Sequence, residues 1–175
     1  MIDGLVACIC EGGAERTIIN ILLENDLLIF TEKQLLDGEI LGKSDRSAKE
    51  FERRHLRKSH SENITVIRIL VSPREEFNLG KAYKDKVSVI NVITSPEIEM
   101  LVIINEGKYK EYQKVKSTTK PSDFCKQTLG IKNVKSPEFI KNYFSDVNTL
   151  LYVLHEYQRL SAPISKMKHL TYLLR

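Results

Sequence analysis

Three apolar runs, separated by long amphipathic segments, constrain the fold of this chain more than any other feature. They are Leu5–Cys10, residues 64–71 and Val87–Ile93, and the last two are rich in β-branched residues. A continuous apolar run such as the first is typical of a strand that is buried on both faces of a parallel sheet. Long connections between strands favour βαβ units. The sequence therefore predicts an α/β fold with a mainly parallel sheet flanked by helices.

The second half of the chain is predicted to be mainly helical. Residues 145–160 carry apolar side chains at helical spacing, with Ser145 as the N-cap, and residues 163–174 are predicted to form a terminal helix. Serine caps helices and proline suits their first position, so a helix start is predicted at each Ser-Pro pair. These pairs are residues 72–73, 95–96 and 136–137.

Length, together with the lack of a signal peptide or a membrane-spanning stretch, predicts a cytoplasmic protein with one domain. The 175 residues suit a single domain, with a strand–helix core over 1–105 and a helical extension over 106–175. No signal peptide is expected, and no apolar stretch approaches the roughly 18 residues needed to cross a bilayer. Cys8, Cys10 and Cys125 are predicted to be buried thiols, because they make neither a disulfide framework nor a zinc site.

A carboxylate directly follows the first predicted strand. This is Glu11, and Gly12 and Gly13 let the backbone turn closely into a helix after it. The carboxyl end of a parallel strand lies at the edge where α/β proteins bind ligands, so Glu11 is placed to bind Mg²⁺ or to act as a general base. The glycine patterns of dinucleotide-binding and phosphate-binding loops are absent. Glu11 is a candidate catalytic and metal-binding residue, with a structural role as the alternative.

Two short segments carry a family resemblance. Residues 9–12, Ile-Cys-Glu-Gly, are followed by Glu15, and residues 92–101 combine a strand end with Ser-Pro and Glu99 at the start of an apolar helix. Both resemble Toprim-type domains, and most closely the RloB-like proteins, relatives of the overcoming-lysogenization-defect nucleases often encoded near restriction systems. The resemblance spans roughly residues 5–160. It implies a Toprim-like fold, a nucleic-acid-related role in bacterial phage defence or restriction, and Mg²⁺ or Mn²⁺ as cofactor.

The chain departs from the family pattern after the middle strand. Toprim domains carry Asp-x-Asp there, which binds Mg²⁺ with the first glutamate, whereas this chain has Ser72 and Arg74. Serine is a weak ligand for Mg²⁺, and arginine brings a positive charge to the site of a cation. Either Glu75 or Glu76 rebuilds a metal site with Glu11, or the domain binds without cutting; the second interpretation is favoured. Glu99 completes the set of candidate metal ligands.

Two basic segments offer contacts to nucleic acid. Arg53, Arg54, Arg57 and Lys58 form the first, for which an ordinary solvated face is the favoured interpretation. In the second, lysines that can neutralise phosphates alternate with tyrosines that can stack on unpaired bases. Its residues are Lys108, Tyr109, Lys110, Tyr112, Lys114 and Lys116, and Arg74 is a further candidate phosphate contact.

Three functions follow as hypotheses from these residues and from the resemblance. The first is a protein that binds DNA or RNA and has weakened or lost catalysis, which agrees with a net charge of +4. The second is a Mg²⁺-dependent nuclease with a modified metal site. The third is a structural or oligomerising component that partners an ATPase or another defence protein, or a second copy of itself.

Overall fold

The computed structural model describes residues 1–58, 60–72, 75–94, 98–161 and 168–175. Within these ranges a parallel sheet has the order β1 (Leu5–Cys10), β2 (Ile64–Leu70), β3 (Val87–Ile93) and β4 (Lys168–His169). Cys10 is paired with Ile69, and Leu70 with Ile93. The carboxyl ends of β1, β2 and β3 therefore lie at one edge of the sheet. The predicted α/β fold with a parallel sheet is confirmed.

Helices surround the sheet and make up most of the second half of the chain. They are α1 (Gly13–Glu24), α2 (Ala48–Phe51), α3 (Met100–Asn105), α4 (Tyr109–Val115), α5 (Pro121–Thr128), α6 (Pro137–Tyr143) and α7 (Val147–Leu160). A π-helical turn, Glu52–Leu56, continues α2, and 3₁₀ turns occur at Glu32–Gln34, Leu36–Gly38, Lys43–Asp45 and Leu170–Leu173. The predicted helical C-terminal portion is confirmed.

Both faces of β1 are covered, as its apolar run predicts. Val6, Cys8 and Cys10 face a cluster that contains buried side chains of α1, α3, α6 and α7. Ala7 and Ile9 face the opposite cluster, which contains Leu36, Leu41, Phe51 and Leu56. Alternate residues of a strand point to opposite faces, so a strand between two apolar layers needs apolar side chains at every position.

The three cysteines are buried free thiols, as predicted. The hydrogen bond with Cys8 and burial together hold the pKa of the Cys10 thiol well above its ordinary value. Burial raises the pKa of Cys125 to about 11. Because the thiolate is the reactive form, these raised pKa values make both groups poor nucleophiles at neutral pH.

The predicted terminal helix is wrong where the structure describes it, and residues 162–167 lie outside the described ranges. Lys168 and His169 pair with Val92 and Ile93 as β4, and Leu170–Leu173 forms a 3₁₀ turn. The backbone N–H of Ile29 donates to the carbonyl of Leu173 at 2.8 Å. An uncovered strand edge leaves N–H and C=O groups unpaired, and β4 covers this edge at the last two residues of β3.

Two predicted helix starts also differ from the structure. Ser136 caps α6 as predicted, accepting from the backbone N–H of Phe139. No helix follows residues 72–73, since the described residues 75–80 have no regular structure, and residues 95–96 lie outside the described ranges. Asp146, not Ser145, caps α7, because its carboxylate accepts from the N–H groups of two residues in the first turn.

A buried ionic cluster joins the π-helical turn to the 3₁₀ turns over the second face of the sheet. The ring of His55 lies between two carboxylates, with Nδ1 2.8 Å from Asp37 and Nε2 3.0 Å from Asp45. Asp45 is itself buried, accepts a hydrogen bond from Ser44, and has Arg54 at 3.7 Å. Carboxylate oxygens only accept hydrogen bonds, so this geometry is satisfied when both ring nitrogens of His55 donate.

Candidate functional site

The carboxyl edge of the sheet holds a cleft of about 350 Å³. Glu11, the first residue after β1, lines this cleft together with Glu99, which directly precedes α3. Glu15 of α1 also lines it, and the basic residues Lys43, Arg46 and Lys135 complete the charged lining. The structure thus brings acidic residues of both sequence motifs to one edge of the sheet, together with cations from two other segments.

Arg46 bridges the carboxylates that follow β1 and β2. Its Nε lies 3.0 Å from Oε1 of Glu11. The same Nε donates to Oε2 of Glu75 at 2.8 Å, and a terminal nitrogen of the guanidinium donates to the other oxygen of Glu75. A guanidinium that contacts both oxygens of a carboxylate forms one of the stronger charged hydrogen-bonded pairs. Glu75 therefore lies beside Glu11, as one of the two sequence interpretations requires, but with an arginine between them.

A second guanidinium approaches Glu75 from inside the sheet. Arg68 lies in β2, is 1% exposed, and has its terminal nitrogen 3.5 Å from Oε2 of Glu75. It also donates to the backbone carbonyl of Glu75 and to the side chain of Asn91, and it lies 4.8 Å from the centre of the Phe77 ring. Burial lowers the pKa of Arg68, and the nearby carboxylates oppose this shift. Glu75 is the acidic partner that makes this buried charge tolerable.

The remaining candidate ligands are placed differently. Glu99 is 1% exposed, and its Oε1 lies 2.7 Å from Nζ of Lys135, which comes from the segment between α5 and α6. Glu76 is exposed and accepts a hydrogen bond from Asn78. Glu76 lines a neighbouring shallow cleft rather than the one that contains Glu11.

In the described residues, three of the candidate ligands are paired with basic side chains rather than grouped around a position for a divalent cation. Across the described residues, no group of three His, Cys, Asp or Glu side chains is placed to hold a metal ion. Glu11, Glu75 and Glu99 instead each contact a basic side chain. Mg²⁺ requires several oxygen ligands in near-octahedral geometry, and it would have to displace the guanidinium of Arg46 to reach Glu11 and Glu75 together.

Glu11 is destabilised in its charged form. Burial raises its pKa above the ordinary value of 4.5, the nearby carboxylate of Glu75 acts in the same direction, and Arg46 opposes both without cancelling them. A carboxyl group whose pKa is higher in the folded state contributes stability below its unfolded pKa. That contribution is lost as the pH rises through the folded pKa.

We expect Glu11→Gln to become more stable relative to the wild type as the pH rises from about 4 to about 7. Glutamine resembles the protonated carboxyl group, so the variant avoids the unfavourable ionisation that the wild type undergoes over this interval. Urea unfolding followed by circular dichroism at several pH values measures the difference. A stability difference that shifts in favour of the wild type with rising pH would contradict the raised pKa.

The predicted lysine–tyrosine segment lies on α4 and at its ends, away from the cleft. Tyr112 is buried and packs edge-on against Phe124 with ring centres 5.4 Å apart, so the prediction that it stacks on bases does not agree with its position. Tyr109 donates its hydroxyl to the carbonyl of Leu160 and packs against the core. The spacing of three residues places both tyrosines on the helix face that contacts the core.

Three of the four lysines of this segment are exposed to solvent. Lys110, Lys114 and Lys116 are exposed, and Lys108 pairs with Glu111 one turn away. None of the four lines the cleft at the carboxyl edge. Their contacts to phosphates stay predictions, and Arg74, the other predicted phosphate contact, lies outside the described residues.

Sequence reasoning missed Arg46, Arg68 and Lys135. Arg68 carried a signal that could have been used, because a single arginine inside a buried strand needs an acidic partner at an end or an edge of the sheet. Arg46 and Lys135 carried no such sequence signal, since each is one of many basic residues in segments remote from the strands. Their role depends on tertiary contacts.

Comparisons of the chain with models of protein families, with curated proteins and with solved structures find no match. The resemblance to Toprim-type domains accordingly rests on the two motifs alone. In the described ranges, no helix combines the length and the apolar composition that a membrane span requires.

Proposed function

We propose that this protein binds nucleic acid at the carboxyl edge of its sheet without cleaving it. The observation that carries the proposal is a strip of exposed basic side chains across this edge. Lys135 lines both the cleft with Glu11 and a second cleft of about 530 Å³ between α5 and α6. The strip consists of Lys43, Arg46, Lys135, Lys132 and Lys126.

Several cations in a row suit a polyanion better than a small anionic ligand. Lysine and arginine side chains neutralise successive phosphates, and the release of counterions supplies much of the binding free energy. Asp123 is the one acidic residue that lines the second cleft, against three lysines. A backbone of phosphates that crosses the edge would therefore meet net positive charge beside the neutralised carboxylates of the first cleft.

The internal ion pairs support binding without cleavage. By the resemblance, Glu11 corresponds to the glutamate with which Toprim domains bind Mg²⁺, and Glu75 and Glu99 are the candidates to complete such a site. Basic side chains of the chain itself contact all three. The likeness of the two motifs to RloB-like proteins is the ground for proposing phage defence or restriction as the setting. An ATPase partner and a homo-oligomer stay predictions.

Removing two lysines of the strip should weaken binding. We expect Lys126→Gln/Lys132→Gln to lower the affinity for a labelled single-stranded oligonucleotide roughly tenfold at low salt and to reduce the slope of log K against log[salt] by about 1.4. Both residues are exposed and make no ion pair with other described residues, so the fold should not change. Fluorescence anisotropy over a salt series, with DNA and with RNA, measures both quantities.

Lys33→Gln/Lys49→Gln is the matched control, because it removes the same charge at exposed positions that line neither cleft. Binding should persist in EDTA. Equal affinities of the two double variants would remove the strip from the proposal. An absence of binding at about 50 mM salt would end the proposal altogether.

A Mg²⁺-dependent nuclease is the second candidate, and the position of Glu75 beside Glu11 favours it. A rotation of Arg46 away from the site would leave two neighbouring carboxylates, and Glu99 lies in the same cleft as Glu11. Incubation of a labelled oligonucleotide with Mg²⁺ or Mn²⁺ separates the two functions. If the oligonucleotide is cleaved only with the metal, and Glu11→Gln abolishes the cleavage, the protein is a nuclease and the proposal of binding without cleavage is wrong.

A further inference from the structure

A second basic cleft lies at the opposite, amino edge of the sheet. It has a volume of about 580 Å³, and Ile64 and Val87, the first residues of β2 and β3, form part of its wall. The cleft is bounded by the segment that follows the π-helical turn and by the segment that precedes β3. Its basic and aromatic lining consists of Arg57, Lys58, His60, Tyr83 and Lys86.

The cations of this cleft lack the carboxylate partners that cations at the carboxyl edge have among the described residues. Arg57, Lys58 and Lys86 are exposed, and none of them forms an ion pair with another described residue. Glu62 is the one carboxylate in the lining. At the carboxyl edge, by contrast, Arg46, Arg68 and Lys135 each contact a carboxylate. An anion that enters the amino-edge cleft meets three cations that no ion pair among the described residues compensates.

The backbone that carries these cations is held by hydrogen bonds. Nε2 of His60 lies 2.7 Å from the carbonyl oxygen of His55 and donates to it, which ties the basic turn to the buried ionic cluster. The N–H groups of Lys86 and Val87 both donate to the carbonyl of Tyr83. Such anchoring limits the entropy that the cleft would lose when a ligand binds.

We propose that the amino-edge cleft binds a phosphorylated ligand that also presents a ring to Tyr83. Three cations suit one or two phosphate groups, and the volume of the cleft is within the range of small-ligand sites. A free nucleotide and a nucleotide within a strand share this chemistry. The site goes beyond the nucleic-acid surface of the carboxyl edge and does not depend on it, since the two lie at opposite edges of the sheet.

Titration of the full ¹⁵N-labelled chain with adenosine monophosphate, with inorganic phosphate and with a short single-stranded oligonucleotide tests this site. We expect saturable shifts of backbone amides in residues 60–64 and 83–87. The double variant Arg57→Gln/Lys86→Gln should lower the affinity obtained from these shifts about tenfold, because each substitution removes one of the three cations. The double variant Lys126→Gln/Lys132→Gln should leave this affinity unchanged, which separates the site from the strip at the carboxyl edge.

The three probes identify the source of the phosphate. Saturation by the mononucleotide at lower concentration than by the oligonucleotide supports a free nucleotide, and the reverse order supports a strand. Saturation by inorganic phosphate as readily as by the mononucleotide removes the ring from the proposal. An absence of shifts in these two segments, or an affinity that Arg57→Gln/Lys86→Gln does not change, would overturn the site even if the carboxyl edge binds nucleic acid.

Discussion

Replacing Glu75 by alanine is expected to lower the free energy of unfolding by about 3 kcal/mol, because it leaves the guanidinium of Arg68 buried without its carboxylate. Arg68 is 1% exposed and has no other acidic contact among the described residues than Glu75. Its hydrogen bond to Asn91 and its contact with the Phe77 ring would remain, and neither neutralises the charge. Urea unfolding of the variant and the wild type at neutral pH measures the effect.

The neighbouring residue supplies the control. Glu76→Ala removes an exposed carboxylate that accepts from the exposed side chain of Asn78, and we expect a change within about 0.5 kcal/mol. In the Glu75→Ala background, Arg68→Met should restore most of the lost free energy of unfolding, because an apolar side chain of similar length needs no acidic partner. If Glu75→Ala and Glu76→Ala lost equal stability, the pairing of Glu75 with Arg68 would be refuted.

A loss of about 3 kcal/mol is also expected for His55→Ala. This substitution removes the ring that lies 3.0 Å from Oδ1 of Asp45, whose side chain is 5% exposed. Ser44 would still donate to one oxygen of Asp45, and Arg54 would remain at 3.7 Å from the other. A buried carboxylate with so few partners is costly, and the lost ring also leaves a gap beside Phe51, whose centre lies 5.1 Å from that of His55.

The charge and the gap can be separated by a second substitution. Asp45→Asn in the His55→Ala background should recover part of the lost stability, because a buried amide is less unfavourable than a buried carboxylate. Arg54→Ala is the matched comparison, and it should have a small effect since its contact is long and its side chain is 43% exposed. A double variant less stable than His55→Ala would show that packing, not charge, dominates at this position.

The elements that could be predicted are those that a pattern within their own segment identifies. The apolar run of β1 needs no knowledge of the rest of the chain to be recognised as a strand between two layers. Glu11 follows from the same run, because parallel pairing fixes where the end of a strand lies. Ser136 at the start of α6 is equally local, since the cap bonds to its own helix.

Contacts between distant segments were beyond sequence reasoning. The bridge from Arg46 to Glu11 and Glu75 joins three segments, and no pattern marks that arginine among 27 basic residues. Tyr112 was misassigned because the alternation of lysine and tyrosine suits both a binding surface and an amphipathic helix. β4 is two residues long, too short for any periodicity to reveal.

The position of β4 has a consequence for the order in which the protein can assemble. Lys168 and His169 pair with β3, and the backbone N–H of Arg175 donates to the carbonyl of Leu27. On a ribosome, the last two residues of β3 must therefore wait for about 75 further residues before their partner emerges. During that interval a nascent chain leaves the carboxyl end of this strand unpaired on its outer side, and a chain shortened before β4 would leave it so permanently.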